Sequence, residues 1–522
     1  MDWRDFRAKL VLQEQQQNTT AATPTTTTQP TSWAYESGDV IEKGSLIVSH
    51  PSQDFACGGL RQQYFYKSVV LVVEHSPSFT KGLILNRPTD QTLKDDHGEA
   101  WPLWYGGDVQ GIDSDNESFL CLHRLNSNEG TNKTCHLAKE LSVPILQDIA
   151  STPWEIAQVL VDAGEAKQDD FWLCAGYSGW GAGQLRNEIE RGNWFMVQTD
   201  VKSVWNMIGQ DLSSPAGTDM WCQVMKRIGK QDMTTCMPDQ KFKDEMLKIW
   251  VTQKLRKPRE LSSSSSSLKE STSDPERPQP LYNMRPGMLV RASSPILLDE
   301  QVFHQSLVLI LVNNDEITSG VVLNRPSSQS VEIAGTNLPL RFGGRFGVEG
   351  KGKPEMWLHC NNKNLQDAKV GEPISEDKDN SIFWKCSRED AESAIEVGLA
   401  KPEEFVVVEG LSVWNKNPAT GNFGIPSPVE IDTCFTEVDD GGIDIVWKLL
   451  LAQEPLNKKN AAENLEAANA AWMISGDAAW MFNGGSKFGG FGAGMNTMEQ
   501  QHLQSLAYNA LDRWIRIFLL KP

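Results

Sequence analysis

One short string occurs twice in this 522-residue chain, and it limits the possible folds more than any other feature. Gly82-Leu83-Ile84-Leu85-Asn86-Arg87-Pro88 returns as Gly320-Val321-Val322-Leu323-Asn324-Arg325-Pro326. The agreement extends well past the string. The β-branched run Ser68–Glu74 is answered by Ser306–Val312, Gly106-Gly107 by Gly343-Gly344, and Leu122-His123 by Leu358-His359. The spacing between paired positions slips one residue at a time, as expected for one ancestral unit copied in tandem with small loop insertions.

The local pattern within each copy predicts short strands broken by helices. Val69–Val73 is apolar throughout and β-branched, the signature of a central strand buried on both faces. Leu83–Leu85 pairs back against it, and Pro88 ends that strand because it has no N–H for a ladder. Pro153 and Gly164 bracket a helix from Trp154. Helices are also expected over Val201–Ile208 and Met220–Ile228.

The domain organisation read from composition has five parts. Residues 1–38 are a mostly disordered polar lead, within which Trp3, Phe6 and Leu10 form a short amphipathic turn able to dock. Residues 39–254 are the first domain. Residues 255–283 are a linker containing the unbroken run Ser262–Ser267. Residues 284–452 are a second, divergent domain. Residues 453–522 are a helical and Gly-rich extension.

Charge and cysteine usage exclude several function classes. With 68 acidic against 49 basic residues the net charge is −19, which repels phosphate backbones, so direct nucleic-acid binding is not expected. Nine cysteines without a C-x-x-C pair give neither a disulfide framework nor a zinc ribbon, and no metal or cofactor is expected. No apolar run reaches the roughly 20 residues of a membrane helix. No apolar leader follows Met1, so the expectation is a soluble intracellular protein.

At these motifs the chain resembles the YqgE/AlgH family of bacteria and plastid-bearing eukaryotes. The first copy carries nearly the whole family pattern: Gly82–Pro88, Gly106-Gly107, Leu122-His123, and Gly176-Tyr177-Ser178-Gly179-Trp180 running through Gly183-Gln184-Leu185 to Glu188. The second copy keeps the earlier motifs but reads Gly410-Leu411-Ser412-Val413-Trp414 at the last. The stretch Trp3–Leu12 is similar to the lead of plastid members, which makes plastid or cytoplasm the expected setting. The resemblance implies an α+β fold with a bent, mostly antiparallel sheet curling into a partial barrel, and no established reaction. The family's bacterial name points to transcriptional regulation, but the chain shows no helix-turn-helix or basic stripe.

The candidate binding residues are Asn86, Arg87, Gly106, Gly107, His123, Tyr177, Gly179, Trp180, Gln184 and Glu188; no catalytic residue is assigned. Arg87 is able to anchor a carboxylate or phosphate, against a structural reading in which Asn caps the turn and Arg pairs nearby. The Gly176–Gly183 loop opens a helix whose N–H groups suit an anion, against a plain strand-to-helix turn with Trp180 as a core plug. Gly176-x-Ser178 begins like a nucleophile elbow but has Trp180 where the second Gly belongs. His123 and His359 read as strand-end side chains rather than metal ligands. The leading reading is a non-catalytic protein that binds another protein or a small anionic ligand. The alternatives are a hydrolase-like enzyme using the same cleft and a scaffold of two tethered units.

Overall fold

The computed structural model describes residues 6–8, 10–11, 33–52, 62–112, 116–125, 136–208, 216–235, 238–256, 260–262, 284–292, 301–347, 355–375, 377–378, 380–415, 435–475 and 497–520. The polar lead after residue 11, most of the Ser/Pro linker and the glycine pairs at 484–485 and 489–490 lie outside them. The chain divides into two compact units, with the main break between Glu270 and Ser271.

In the first unit the strands are β1 (Ala34–Gly38), β2 (Leu46–Ser49), β3 (Val69–His75), β4 (Phe79–Ile84), β5 (Pro88–Lys94), β6 (Ala100–Tyr105), β7 (Phe119–His123), β8 (Val143–Pro144), β9 (Ala150–Pro153), β10 (Phe171–Ala175), β11 (Ser178–Gly181), β12 (Trp194–Thr199) and β13 (Glu260–Ser262). They form two open sheets. One has the order β1-β12-β2-β3-β4-β11, the other β13-β5-β6-β10-β7-β9-β8. Pairing is antiparallel except at β6–β10 and β5–β13. The fold is therefore α+β with mostly antiparallel sheets.

The second unit repeats this plan with β14 (Leu289–Ala292), β15 (Leu307–Asn313), β16 (Ile317–Val322), β17 (Pro326–Ile333), β18 (Thr336–Phe342), β19 (Glu355–Cys360), β20 (Glu372–Pro373), β21 (Phe383–Cys386), β22 (Val406–Glu409), β23 (Ser412–Asn415) and β24 (Phe435–Glu437). Its sheets run β24-β14-β15-β16-β23 and β17-β18-β22-β19-β21-β20. Strand for strand these are the first unit's sheets without β1 and β13. The parallel β6–β10 pair recurs at β18–β22.

The β-branched strand lies at the centre of each first sheet because both of its faces are covered. In β15, Leu307 and Leu309 pack toward Leu358, Val406 and Val408 of the other sheet. Val308 and Ile310 face Leu465, Leu511, Trp514 and Ile515. These last four belong to α8 (Ala461–Ile474) and α9 (Thr497–Phe518), if helices are numbered α1 (Trp154–Asp162), α2 (Gln184–Glu190), α3 (Val201–Ile208), α4 (Thr218–Arg227), α5 (Pro238–Lys254), α6 (Arg388–Glu396) and α7 (Asp440–Leu451) before them. The segment after residue 452 thus covers one whole face of the second unit's first sheet.

Specific contacts match α8 to α4 and α9 to α5. Trp221 of α4 donates its indole N–H to Ser49 O at 2.8 Å, and Trp472 of α8 donates to Ala292 O at 2.7 Å. Trp250 of α5 meets Tyr105 edge-on at 5.2 Å, and Trp514 of α9 meets Phe342 at 5.3 Å. The backbone N–H of Asp90 bonds Leu255 O at 2.8 Å, and that of Ser328 bonds Leu519 O at 2.9 Å. The repeat therefore runs to the end of α9, although the sequences of these helices show no evident match. At the other end, Ala8 is buried and Arg7 pairs with Glu42 at 2.7 Å, whereas Phe6 and Leu10 are exposed. Of the apolar positions expected to dock, Phe6 and Leu10 are thus partly open to solvent, and Trp3 lies outside the described residues.

Trp514→Ala removes a large buried side chain from this cover and is expected to destabilise the second unit by about 3–5 kcal/mol. Amide hydrogen exchange checks this. Protection across Leu307–Ile310 should fall while Val69–Val72 keeps its protection; equal protection in both variants at Leu307–Ile310 would refute the role of α9.

Candidate functional site

Asn-Arg-Pro is the corner where the chain leaves one sheet and enters the other. β4 ends at Ile84, and Pro88 begins β5, so the proline opens a strand as well as ending one. At such a corner the backbone groups of neighbouring segments lose their ladder partners, and buried groups need replacements. Asn86 supplies them. Its Oδ1 accepts the Val69 N–H at 3.0 Å, and its Nδ2 donates to Lys67 O at 2.9 Å and Gly217 O at 2.8 Å. Gly217 allows this approach because a Cβ there would lie 2.0 Å from Asn86 O.

Arg87 does similar work. Its guanidinium donates to Asn86 O at 2.9 Å, Ala216 O at 2.8 Å and Tyr66 O. The side chain is fully buried, and burial lowers its pKa to about 9. All its hydrogen-bond partners are carbonyls, which share the positive charge without a carboxylate. The expectation that Arg87 anchors an anion at the surface is corrected: a guanidinium with no exposed atom cannot meet one without opening the corner. The second unit repeats the arrangement through Asn324 on Leu307 N, Gln305 O and Ala468 O, and through Arg325 on Asn324 O, Val302 O and His304 O.

Gly106 and Gly107 do meet the Gly176 loop. The Gly106 N–H bonds Ala175 O at 2.8 Å, Gly176 N–H bonds Ser118 O at 2.7 Å, and Val109 and Tyr177 exchange bonds at 3.0 Å. A Cβ on Gly106 would sit 2.3 Å from Gly176 O, and one on Gly107 2.1 Å from Tyr177 C. Two backbones cross here at a distance that only glycine permits. Arg87 is a neighbour through its backbone alone, its O accepting the Tyr105 N–H at 3.0 Å. Its side chain points into the corner.

Trp180, Gln184 and Glu188 form a second group. Trp180 is a core plug, stacked on Phe65 at 5.9 Å and edge-on to Trp194 at 6.1 Å. Glu188 gathers the indole N–H of Trp180 at 3.0 Å, that of Trp194 at 2.8 Å and the Gln184 amide at 3.0 Å. Gln184 Oε1 in turn accepts the Gly181 N–H at 3.1 Å. With the N–H groups of Gly176, Tyr177 and Gly181 all bonded within the protein, the loop is not a ready anion cradle, and α2 has only seven residues. Trp194 was legible only as a strand residue; an indole opposite a helical Glu has no sequence signature.

Beside this group is a surface patch in which Phe79 and Lys81, not singled out from the sequence, join Tyr177 and Gly179. Tyr177 and Phe79 are half-buried, with their rings edge-on at 6.4 Å, and the Lys81 ammonium lies 4.2 Å above the Tyr177 ring. Gly179 sits against Phe79, where a Cβ would approach the ring to 3.3 Å. Partial burial pushes the Lys81 pKa down, opposed by the charge of Glu74.

The side chains with nucleophilic or acid–base chemistry are held elsewhere. Ser178 is buried with its hydroxyl toward Gly106 O at 3.5 Å. His123 is buried in the other sheet, paired across from Phe171 and Ala150. Its Nδ1 accepts the Leu125 N–H at 3.3 Å, so the proton sits on Nε2, which donates to Ser142 Oγ at 2.8 Å. Burial pushes Cys174 up to about 12 and holds Cys121 well above its ordinary value, so neither is a thiolate at neutral pH. Among the described residues no three His, Cys, Asp or Glu side chains converge as metal ligands, and no helix is long and apolar enough to cross a membrane.

A family profile described as AlgH-like matches residues 55–232 and 290–418, more than half of the chain in two segments. The chain belongs to the AlgH-like family. A UPF0301 protein of Rhodococcus jostii is 27% identical over 206 residues, covering 38% of this AlgH-like chain and 89% of the relative. A UPF0301 protein of Chlamydia abortus is 33% identical over 201 residues, covering 36% and 88%. Among solved structures, a Corynebacterium diphtheriae protein aligns at 22% identity over 37% of this chain and 91% of its own, with a TM-score of 0.27. The AlgH protein of Pseudomonas aeruginosa aligns at 19% identity over 36% and 95%, with a TM-score of 0.23.

His123 makes this AlgH-like protein acid-sensitive. Its folded pKa is lowered to about 4 by burial, a neighbouring Asp170 opposing, against an ordinary value of 6.5. The unfolded chain therefore binds the extra proton first as pH falls. The stability of the neutral, buried ring is fully present above 6.5 and is lost on the way down to 4, by up to about 3 kcal/mol. Denaturant unfolding at pH 7 and pH 4.5 should show a smaller acid loss for His123→Gln than for wild type; identical losses would contradict this.

Proposed function

We propose that this chain is a non-catalytic binding or regulatory protein whose first unit receives a protein partner along the edge of β11. One observation carries the reading. The groups with chemistry to offer are buried in structural bonds, while the Gly-Tyr-Ser-Gly-Trp strand beside them is the outermost strand of its sheet. An edge strand offers unpaired N–H and C=O groups on one side, and an added strand uses them for affinity. Phe79, Lys81 and Tyr177 supply side-chain recognition at that edge, an aromatic and cationic surface suited to an acidic or aromatic peptide segment. The small anionic ligand expected from sequence loses its support with the burial of Arg87. Similarity of Trp3–Leu12 to plastid members supports a plastid or cytoplasmic setting.

The test is co-purification with Tyr177→Ala plus Lys81→Ala, compared with wild type and with a control at exposed Val397. At least one partner held by wild type and by the Val397→Ala control should fall about tenfold or more in the double variant, as expected when an interface anchor is truncated. An unchanged partner set in the double variant overturns the proposed edge.

A further inference from the structure

The β11 edge carries a hydrogen-bond opening only one residue long. On an antiparallel strand alternate residues turn their N–H and C=O groups to opposite sides. In β4 the Ile84 N–H points away from β3, to Gly106 O at 2.9 Å. Gly82 and Thr80 share that side, so their ladder partners Ser178 and Trp180 are the residues of β11 that bond β4. Tyr177, Gly179 and Gly181 face outward. Tyr177 exchanges both of its bonds with Val109 at 3.0 Å, and the Gly181 N–H goes to Gln184 Oε1 at 3.1 Å. Of these three outward N–H groups, that of Gly179 alone is open among the described residues.

One face of the same position is shaped to receive a side chain and a negative charge. Lys81 stands directly opposite Gly179. The two share a face with Phe79 and Tyr177, each two residues along its strand. Gly179 contributes no side chain, and the two rings border the gap: a Cβ there would lie 3.3 Å from the Phe79 ring and 3.5 Å from that of Tyr177. The Lys81 ammonium over the Tyr177 ring has no hydrogen bond or ion pair among the described residues, and Glu74 is the carboxylate whose charge acts on it. The second unit lacks these features. There Ser319 stands opposite Val413, Ile317 replaces Phe79, and Leu411 replaces Tyr177.

We propose that the partner enters this site by its C-terminal end. The proposal rests on the reading of the β11 edge as the partner site and names what binds there. A strand running past Gly179 would bring its backbone groups to positions already bonded by Val109 and Gln184. A chain end needs one position only. Its last residue pairs with Gly179: the N–H of that residue donates to Gly179 O, and a carboxylate oxygen accepts the Gly179 N–H. The Lys81 ammonium offsets the carboxylate charge. An aromatic last side chain lies over Gly179 beside Phe79 and Tyr177.

The full chain is titrated by fluorescence anisotropy with three peptides labelled at the N-terminus: Gly-Ser-Ala-Phe with a free carboxylate, the same peptide amidated, and Gly-Ser-Ala-Phe-Gly-Gly. The free acid should bind, and the amide about tenfold more weakly, through loss of a charge-assisted bond. The longer peptide, whose carboxylate lies two residues farther on, should be as weak as the amide. Lys81→Gln should bring the acid down to the level of the amide. Gly179→Val, which installs the second unit's residue, should abolish acid binding; Lys81→Gln keeps the proposal testable if that chain does not fold. No binding of the acid to wild type, equal binding of acid and amide, or full acid binding in Lys81→Gln overturns the end-on mode. Partners still lost from Tyr177→Ala plus Lys81→Ala in co-purification would then keep the edge as a partner site. Partners unchanged in that variant overturn the edge and the end-on mode together.

Discussion

The fold depends on how one corner is satisfied without water. Two sheets in each unit are joined by a chain that turns from one into the other, and the turn is buried. Backbone groups at Val69, Lys67 and Gly217 have no strand partner there, and the carboxamide of Asn86 bonds all three. A single amide with two donors and an acceptor is the smallest side chain able to do this. The guanidinium of Arg87 then ties the corner to the turn carbonyl of Tyr66 and to Ala216 ahead of α4. The second unit makes similar connections: Ala468 of α8 takes the place of Gly217, and Arg325 bonds Val302 O where Arg87 bonds Ala216 O. The tie reaches strands, turn and helix together, so none of these elements can be placed without the others.

Much of the placement of strands along the chain was legible because it rests on local chemistry. Apolar β-branched runs mark the central strands, and glycine pairs mark the crossing of two backbones. The duplication itself was legible because turns and glycines tolerate few substitutions. The match of the last helices to those closing the first unit was not. α8 and α9 fill the places of α4 and α5 through one tryptophan each and a cover of apolar surface, and many sequences can provide such a cover. For that reason the sequence reading separated residues 453–522 as an extension, while the structure packs α8 and α9 on the second unit's first sheet.

The candidate site divides in the same way. The motif residues were singled out by type, and type alone does not tell which way a side chain points. Arg87 and Trp180 read equally well as ligand contacts and as core. Their partners decide the matter: carbonyls for Arg87, Phe65 and Glu188 for Trp180. With these side chains in structural roles, the surface beside the motif at the β11 edge is where the proposed partner would bind. The two copies share a frame and differ in the loop beside it, with Tyr177 and Gly179 in one and Leu411 and Val413 in the other.

The most direct test of this account is the stability of Asn86→Leu and Asn324→Leu, each followed by hydrogen exchange in both units. Leucine keeps the volume and removes the side-chain partner of a buried N–H, Val69 or Leu307, and of a carbonyl, Lys67 or Gln305. The account predicts a loss of about 3–5 kcal/mol in whichever unit carries the change, of similar size in both. Wild-type protection of Val69 in Asn86→Leu, or of Leu307 in Asn324→Leu, would contradict it.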